Sequence, residues 1–346
     1  MIHPTAVAAV RYVDAQVSGG AGDGSSWANA YTKLQDALAA SSSGDNIRVA
    51  RGVYYPDEGS GQTNNASTST FTLKDGVNLY GGFENGQSFS QRDPAANLTI
   101  LSGDLQQDDT NTDGNFIAEL SIQKSGTNAL HVVTGAGAST SVVFDGFVVT
   151  AGSSGGSGSG GGMMLDGSPT TVVDCQFFGN SGANAGAVST NSAASTFEGC
   201  YFHGNVGVFN CGAVSAVGTS ATFKDCLFER NSSPAQGGAL RVGGGDIYNC
   251  RFVKNSVSRT QAAGTGAAIY ATGSINMGNC VFYNNISNAG TVYLTGGSGA
   301  TIANCTFSGN SATTEAGALY FESVNGSRTV THCIAWNNET AGSQIF

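Results

Sequence analysis

The motif Cys-x-Phe-x-x-Asn recurs at Cys175/Phe177/Asn180, Cys200/Phe202/Asn205, Cys226/Phe228/Asn231, Cys250/Phe252/Asn255, Cys280/Phe282/Asn285 and Cys305/Phe307/Asn310. A seventh, altered copy is Cys333/Ala335/Asn338. Successive cysteines are 25, 26, 24, 30, 25 and 28 residues apart. A period of about 20 to 50 residues belongs to solenoids, propellers and repeat arrays, in which no single repeat buries its own apolar side. The repeat restricts fold severely and activity hardly at all.

The residues inside the period choose among these architectures. An apolar residue stands three positions before each Cys: Val172, Phe197, Phe223, Ile247, Met277, Ile302 and Val330. Immediately before each Cys stand Asp174, Gly199, Asp225, Asn249, Asn279, Asn304 and finally His332. Asn, Asp and Gly tolerate left-handed backbone, so a bend is predicted at each of these points. Cys and Phe, two residues apart, then project to the same side of a short strand, and Asn closes it. A further strand is marked by Gly186-Ala187-Val188, Gly212-Ala213-Val214, Gly238-Ala239-Leu240, Ala267-Ala268-Ile269, Gly290-Thr291-Val292 and Gly317-Ala318-Leu319. No helical period interrupts them. Two or three short strands per repeat predict an all-β coil whose turns lie about 4.8 Å apart, the spacing of paired strands. Like residues then stack on like.

Stacking gives the repeated polar residues a structural role. Asn180, Asn205, Asn231, Asn255, Asn285 and Asn310 form a predicted ladder of amides that hydrogen-bond along the axis. The sequons at Asn231 and Asn285 are then internal. Cys175, Cys200, Cys226, Cys250, Cys280 and Cys305 form a parallel column, with Cys211 outside it. No Cys-x-x-Cys pair suggests a metal site. Parallel Cβ vectors about one strand spacing apart are also too far separated for an ordinary disulfide. The column reads as free thiols packed as small hydrophobes.

Composition narrows the partners. Of 346 residues, 51 are Gly and 11% are charged, and the net charge is −10. No Lys/Arg cluster provides the basic face of a nucleic-acid binder. No stretch of about 18 apolar residues is available to span a membrane. Residues 1–10 lack the basic start and the length of a signal peptide.

In chain order, residues 1–346 read as one β-solenoid domain. Residues 11–57 form an N-terminal cap with a helix over about 28–41, N-capped by Ser25 or Ser26, whose Tyr31, Leu34 and Leu38 share a face. Strands follow at Ile47–Ala50 and Val53–Tyr55, and Pro56 stops them. Residues 70–165 read as irregular early coils, with the Gly/Ser run 152–162 as a loop within them. Regular coils occupy 172–346, for about ten or eleven coils in all. The chain ends at Gln344-Ile345-Phe346 inside a Gly-Ala-type strand without a polar cap, which predicts head-to-tail stacking on a second copy or a longer parent chain.

Tyr12-Val13-Asp14, Gly22-Asp23-Gly24-Ser25-Ser26-Trp27, the Leu34/Leu38 helix, Gly44-Asp45 and Gly52-Val53-Tyr54 together resemble the N-terminal cap of secreted bacterial right-handed parallel β-helix proteins. The Phe-x-x-Asn and Gly-Ala-aliphatic repeats are similar to those of chlamydial polymorphic outer-membrane proteins and autotransporter passengers. The resemblance covers nearly the whole chain. It implies a pectate-lyase-like right-handed parallel β-helix and an extracellular or cell-surface location. Its members include adhesins, structural fibres and polysaccharide-active enzymes.

Two places carry candidate chemistry. Asp109-Thr110-Asn111-Thr112-Asp113-Gly114 fits the start of a calcium loop, with Asp109, Asn111 and Asp113 as ligands and Asp104 and Asp108 nearby. The match fails at the twelfth position, Leu120, and an acidic solvated turn is the alternative. Tyr270, Tyr293 and Tyr320 follow the aliphatic residue of successive strands and face outward, with Arg241 one coil earlier. They form either a stabilising ladder or a platform for sugars or a protein. The segment Asn255–Gly266 would rim it. Only nine Asp/Glu occur in residues 163–346, His3, His131, His203 and His332 are scattered, and no nucleophile motif appears. The expectation is a non-catalytic extracellular structural or adhesive module that contacts itself, other surface proteins or polysaccharide. The alternatives are a polysaccharide lyase or hydrolase and a glycan-binding module. Clustered acidic and basic side chains on one outer face of adjacent coils would favour an enzyme.

Overall fold

Each regular turn begins with a residue in the left-handed region, where the sequence places Asp, Asn or Gly. Asp174, Gly199, Asp225, Asn249, Asn279, Asn304 and His332 all have φ between +47° and +64°. A second left-handed corner falls one residue before each ladder Asn, at Gly179, Gly204, Arg230, Lys254, Asn284, Gly309 and Asn337. Turn chemistry does not reveal this corner at Arg230 or Lys254, because neither residue favours positive φ. The structure, a computed structural model, describes residues 8–135, 137, 140–156, 158–191, 194–258, 264–296, 299–322 and 326–339. The last-strand segment Gln344-Ile345-Phe346 and part of the Asn255–Gly266 rim lie outside the described residues.

These corners divide each turn into parallel strands that pair with their equivalents one turn away. The first sheet has 11 strands, from Val10–Val13 to Arg328–Thr331; the second has 10, from Gly52–Tyr54 to Ile334–Trp336; the third has 9, from Phe71–Thr72 to Leu319–Phe321. A fourth sheet of 6 two-residue strands, Ser181–Gly182 to Ser311–Ala312, follows the ladder Asn and was not foreseen. The predicted Gly-Ala segments lead into the third sheet. Gly212 is needed there because a Cβ would strike the Gly238 carbonyl of the next turn.

One continuous core runs from Val13 to Leu319. Phe177, Phe202, Phe228, Phe252, Phe282 and Phe307 stack with centroids 4.5–5.0 Å apart and planes within 7°. The amide ladder is as continuous. Asn231 donates from its backbone N–H and from Nδ2 to Asn255 Oδ1, both at 3.0 Å, and from Nδ2 to the Phe202 carbonyl at 2.9 Å. The pattern repeats from Asn180 to Asn338. Asn231 and Asn285 have no exposed surface, so their sequons are internal. Cys175, Cys200, Cys211, Cys226, Cys250, Cys280 and Cys305 are buried free thiols, while Cys333 is partly exposed.

The cap differs from its predicted form. The α-helix is Leu34–Ala40, shorter than 28–41, and Ser26 caps a separate 3-10 turn, Trp27–Asn29. Between them Tyr31 is extended. Its N–H donates to the Tyr12 carbonyl, and its own carbonyl accepts from Asp14 N–H. Pairing that covers the edge of the first strand wins over helix propensity here. Leu34, Ala37 and Leu38 close the end of the core.

Candidate functional site

The longest excursion from the solenoid joins the second-sheet strand Thr99–Ser102 to the third-sheet strand Val133–Thr134. It folds back over the outer face of the second sheet, where Ile117 packs on Ile100 and Val148 beside Phe178. Thr150 Oγ1 accepts from Ala118 N–H at 3.0 Å and donates to the Ala118 carbonyl at 3.1 Å. A cavity of about 270 Å³ opens beneath this loop, lined by Tyr55, Asp104, Asp109 and Asn111 among others.

The carboxylates that converge here are Asp104, Asp108 and Asp109, with ligand oxygens all within 4.8 Å of one another. Of the expected ligands Asp109, Asn111 and Asp113, Asp109 belongs to this cluster with the nearby Asp104 and Asp108, and Asn111 lines the same cavity. Asn111 Oδ1 accepts from Gly114 N–H, and Asp113 accepts from Asn115, so both are turned into their own loop. Asp104 and Asp109 are also structurally engaged. Asp104 accepts from the N–H groups of Asp108 and Asp109, and Asp109 from Ser125 N–H and Asn128 Nδ2. Burial, reinforced by Asp104, pushes Asp109 up to about 6, and burial also raises Asp104. Burial lowers Lys124 to about 8, opposed by Asp109, while its Nζ donates to the Gly152 carbonyl and Ser181 Oγ. Three carboxylates in reach of one point are a donor set of the type calcium takes.

A second cluster lies on the same outer face and was missed in the sequence. Tyr201 Oη donates to Glu229 Oε2 at 2.6 Å and lies 2.9 Å from His203 Nδ1. The single phenol proton is thus committed to Glu229, so His203 carries its proton on Nδ1. Burial lowers His203, and burial with the Glu229 contact raises Tyr201; the Tyr201 hydrogen bond holds Glu229 below the usual carboxylate range. A neutral imidazole, a phenol and a carboxylate therefore satisfy one another at neutral pH. The signal was register: His203 pairs with Glu229 one turn on, and Tyr201 alternates with His203. Beside Tyr201, a groove of about 360 Å³ is lined by Asp93, Asp174 and Gln176.

The tyrosine ladder forms as the sequence places it. Arg241, Tyr270, Tyr293 and Tyr320 are in register on the third sheet. The Tyr270–Tyr293 and Tyr293–Tyr320 centroids are 5.6 and 5.0 Å apart, with planes 12° and 26° from parallel. Tyr293 is stacked on both faces and only 6% exposed, and Arg241 Nε donates to Gln236. The stack leaves ring faces without a tyrosine neighbour only at its two ends, Tyr270 and Tyr320, and the Tyr293 hydroxyl bonds to Glu322. Open apolar surface lies on the second sheet, where Val281 is 39% exposed, Tyr283 46%, Ile334 60% and Trp336 71%, with Thr306 and Ser308 between them in register.

The sequence profile of the right-handed β-helix region matches residues 109–257 and 240–346. The chain belongs to the right-handed β-helix family. That settles the hand of the coil, which parallel pairing alone leaves open. Comparison of this β-helix with curated proteins finds no match. No described helix is long and apolar enough to cross a membrane.

Proposed function

We propose that this β-helix is a non-catalytic structural or adhesive module that acts at a cell surface or outside the cell, with the outer face of its second sheet as the contact surface. The observation that carries the reading is the exposed pairs Val281/Tyr283 and Ile334/Trp336 on paired strands either side of Thr306 and Ser308. In the early turns the same face is covered by the chain's own loop through Ile117. In the later turns it is bare among the described residues, with two exposed apolar pairs flanking Thr306 and Ser308, and exposed apolar surface rimmed by polar residues marks interaction sites. The ligand is a polysaccharide or a protein surface. The polar chemistry nearby is already occupied: Glu229 is bonded to Tyr201, and Asp104 and Asp109 hold backbone. Binding to a panel of immobilised polysaccharides and cell-surface preparations tests this. The Val281→Thr/Tyr283→Thr variant should lose binding at unchanged melting temperature; undiminished binding would reject the second-sheet face.

A polysaccharide hydrolase is the second reading, favoured by Asp109. A carboxyl pushed up to about 6, next to another carboxyl in a cavity, is the pattern of a general acid with its partner. Depolymerisation abolished in Asp109→Asn would establish it.

A further inference from the structure

Arg11, Arg48, Arg51 and Arg92 are the arginines of the first hundred residues, and three of them have a carboxylate partner. Arg11 pairs with Asp45, Arg51 with Glu84 and Arg92 with Asp145. Arg48 has none. It projects from the outer face of the first sheet, in register between Tyr12 and Tyr80. Its guanidinium lies 5.8, 5.9 and 5.5 Å from the ring centres of Tyr12, Phe83 and Phe89. Its Nε is buried without a hydrogen-bond partner. Aromatic faces offset part of the cost of desolvating a cation but accept no hydrogen bonds in the guanidinium plane.

The segment around Phe89 closes over this arginine and leaves a cavity of about 160 Å³, lined by Asn46, Arg48, Tyr80 and Phe89. Its polar lining can donate throughout. Asn46 Oδ1 is taken by Asn78 Nδ2, which leaves the Asn46 amide hydrogens to donate. The Tyr80 hydroxyl bonds to no described residue. Tyr80 and Phe89 also form an edge-to-face aromatic wall, with centroids 5.1 Å apart.

We propose that this cavity binds a small organic monocarboxylate, with Arg48 as its counter-ion, Asn46 and Tyr80 as further donors, and Phe89 as its apolar wall. A planar guanidinium matches a carboxylate in shape and charge. One unpaired positive charge balances one negative charge, and a chain of net charge −10 disfavours a polyanion. The aromatic wall selects an organic acid over an inorganic anion. The site is on the first sheet, so it stands or falls independently of the second-sheet contact face.

Glucuronate is the probe, titrated into ¹⁵N-labelled full-length protein while the arginine Nε–H resonances are followed. Inorganic phosphate and chloride run as parallel arms. The expected result is a saturable shift of the Arg48 resonance with glucuronate and none of that strength with the inorganic anions. Tyr80→Phe keeps the ring packing and should weaken binding about tenfold, the loss of one hydrogen bond to a charged group. Arg48→Gln should abolish binding, read there from the indole resonance of Trp27, whose ring packs on Tyr12 and Phe83 with centroids 4.8 and 5.6 Å away. No saturable shift with glucuronate, an equal response to phosphate, or affinity unchanged in both variants would overturn the proposal.

Discussion

Replacing Asn255 by Ala tests whether the amide ladder holds the solenoid together. Asn255 has no exposed surface. Its Oδ1 accepts from Asn231 N–H and Nδ2, both at 3.0 Å, and its Nδ2 donates to the Phe228 carbonyl at 2.8 Å and to Asn285 Oδ1 at 3.1 Å. Asn255→Ala keeps the backbone N–H bond to Asn285 and removes these four. It leaves the Asn231 N–H and one Asn231 amide hydrogen without partners in the interior, while the Phe228 carbonyl keeps its ladder bond from the next turn. Each buried orphan costs about 1–3 kcal/mol, so the two together cost about 2–4 kcal/mol with partial relaxation. Stacked repeats unfold in a non-two-state manner, so the assay is hydrogen exchange of the Asn231 amide and its neighbours, supported by denaturant melts. The control is Asn276→Ala. Asn276 makes an equivalent side-chain bond to Asp246 on the exposed face, and its loss should change stability by less than about 0.5 kcal/mol. Similar small effects for both variants would refute the ladder as a source of stability.

The remaining predictions concern the core, the thiols and the acidic loop. Phe252→Ala opens a hole between rings 4.8 Å away on both sides and should cost about 3–5 kcal/mol in denaturant melts, whereas Tyr283→Ala on the exposed face should be near neutral. A thiol reagent under native conditions should modify Cys333 and spare the buried thiols; burial pushes Cys175 and Cys211 up to about 12. Mass spectrometry of labelled peptides checks this. Asp109 is raised in the folded chain from 3.8 to about 6, so its contribution is fully present below about pH 4 and is lost as pH rises through about 6. Protection factors in the 104–128 loop, with intrinsic exchange divided out, should therefore fall over that range in the parent chain, and Asp109→Asn should flatten their profile.

How far the sequence could be read follows from how many turns repeat a constraint. The corner before each Cys was legible because it recurs with residues suited to positive φ. The corner before each ladder Asn was obscured by Arg230 and Lys254, which the stacked neighbours hold in left-handed backbone against their preference. The cap helix was overdrawn because Tyr31 has helical spacing with Leu34, yet pairs as strand with Tyr12 and Asp14. The acidic loop gave up its ligand set least readily. A motif match counts side chains along the chain, whereas here the Asn111 and Asp113 oxygens accept local turn bonds, and the neighbours Asp104 and Asp108 converge with Asp109. Tyr201, His203 and Glu229 become visible only when two turns are aligned in register.

The proposed role requires that the β-helix bind through the outer face of its second sheet and do no chemistry there. Incubation of the purified chain with the polysaccharides of the binding panel, with and without calcium, and analysis of products by reducing-end assay and ultraviolet absorbance tests it most directly. Retention of at least one ligand, with no new reducing ends and no unsaturated products, is the predicted result. Products that form with the parent chain and vanish with Asp109→Asn would contradict it.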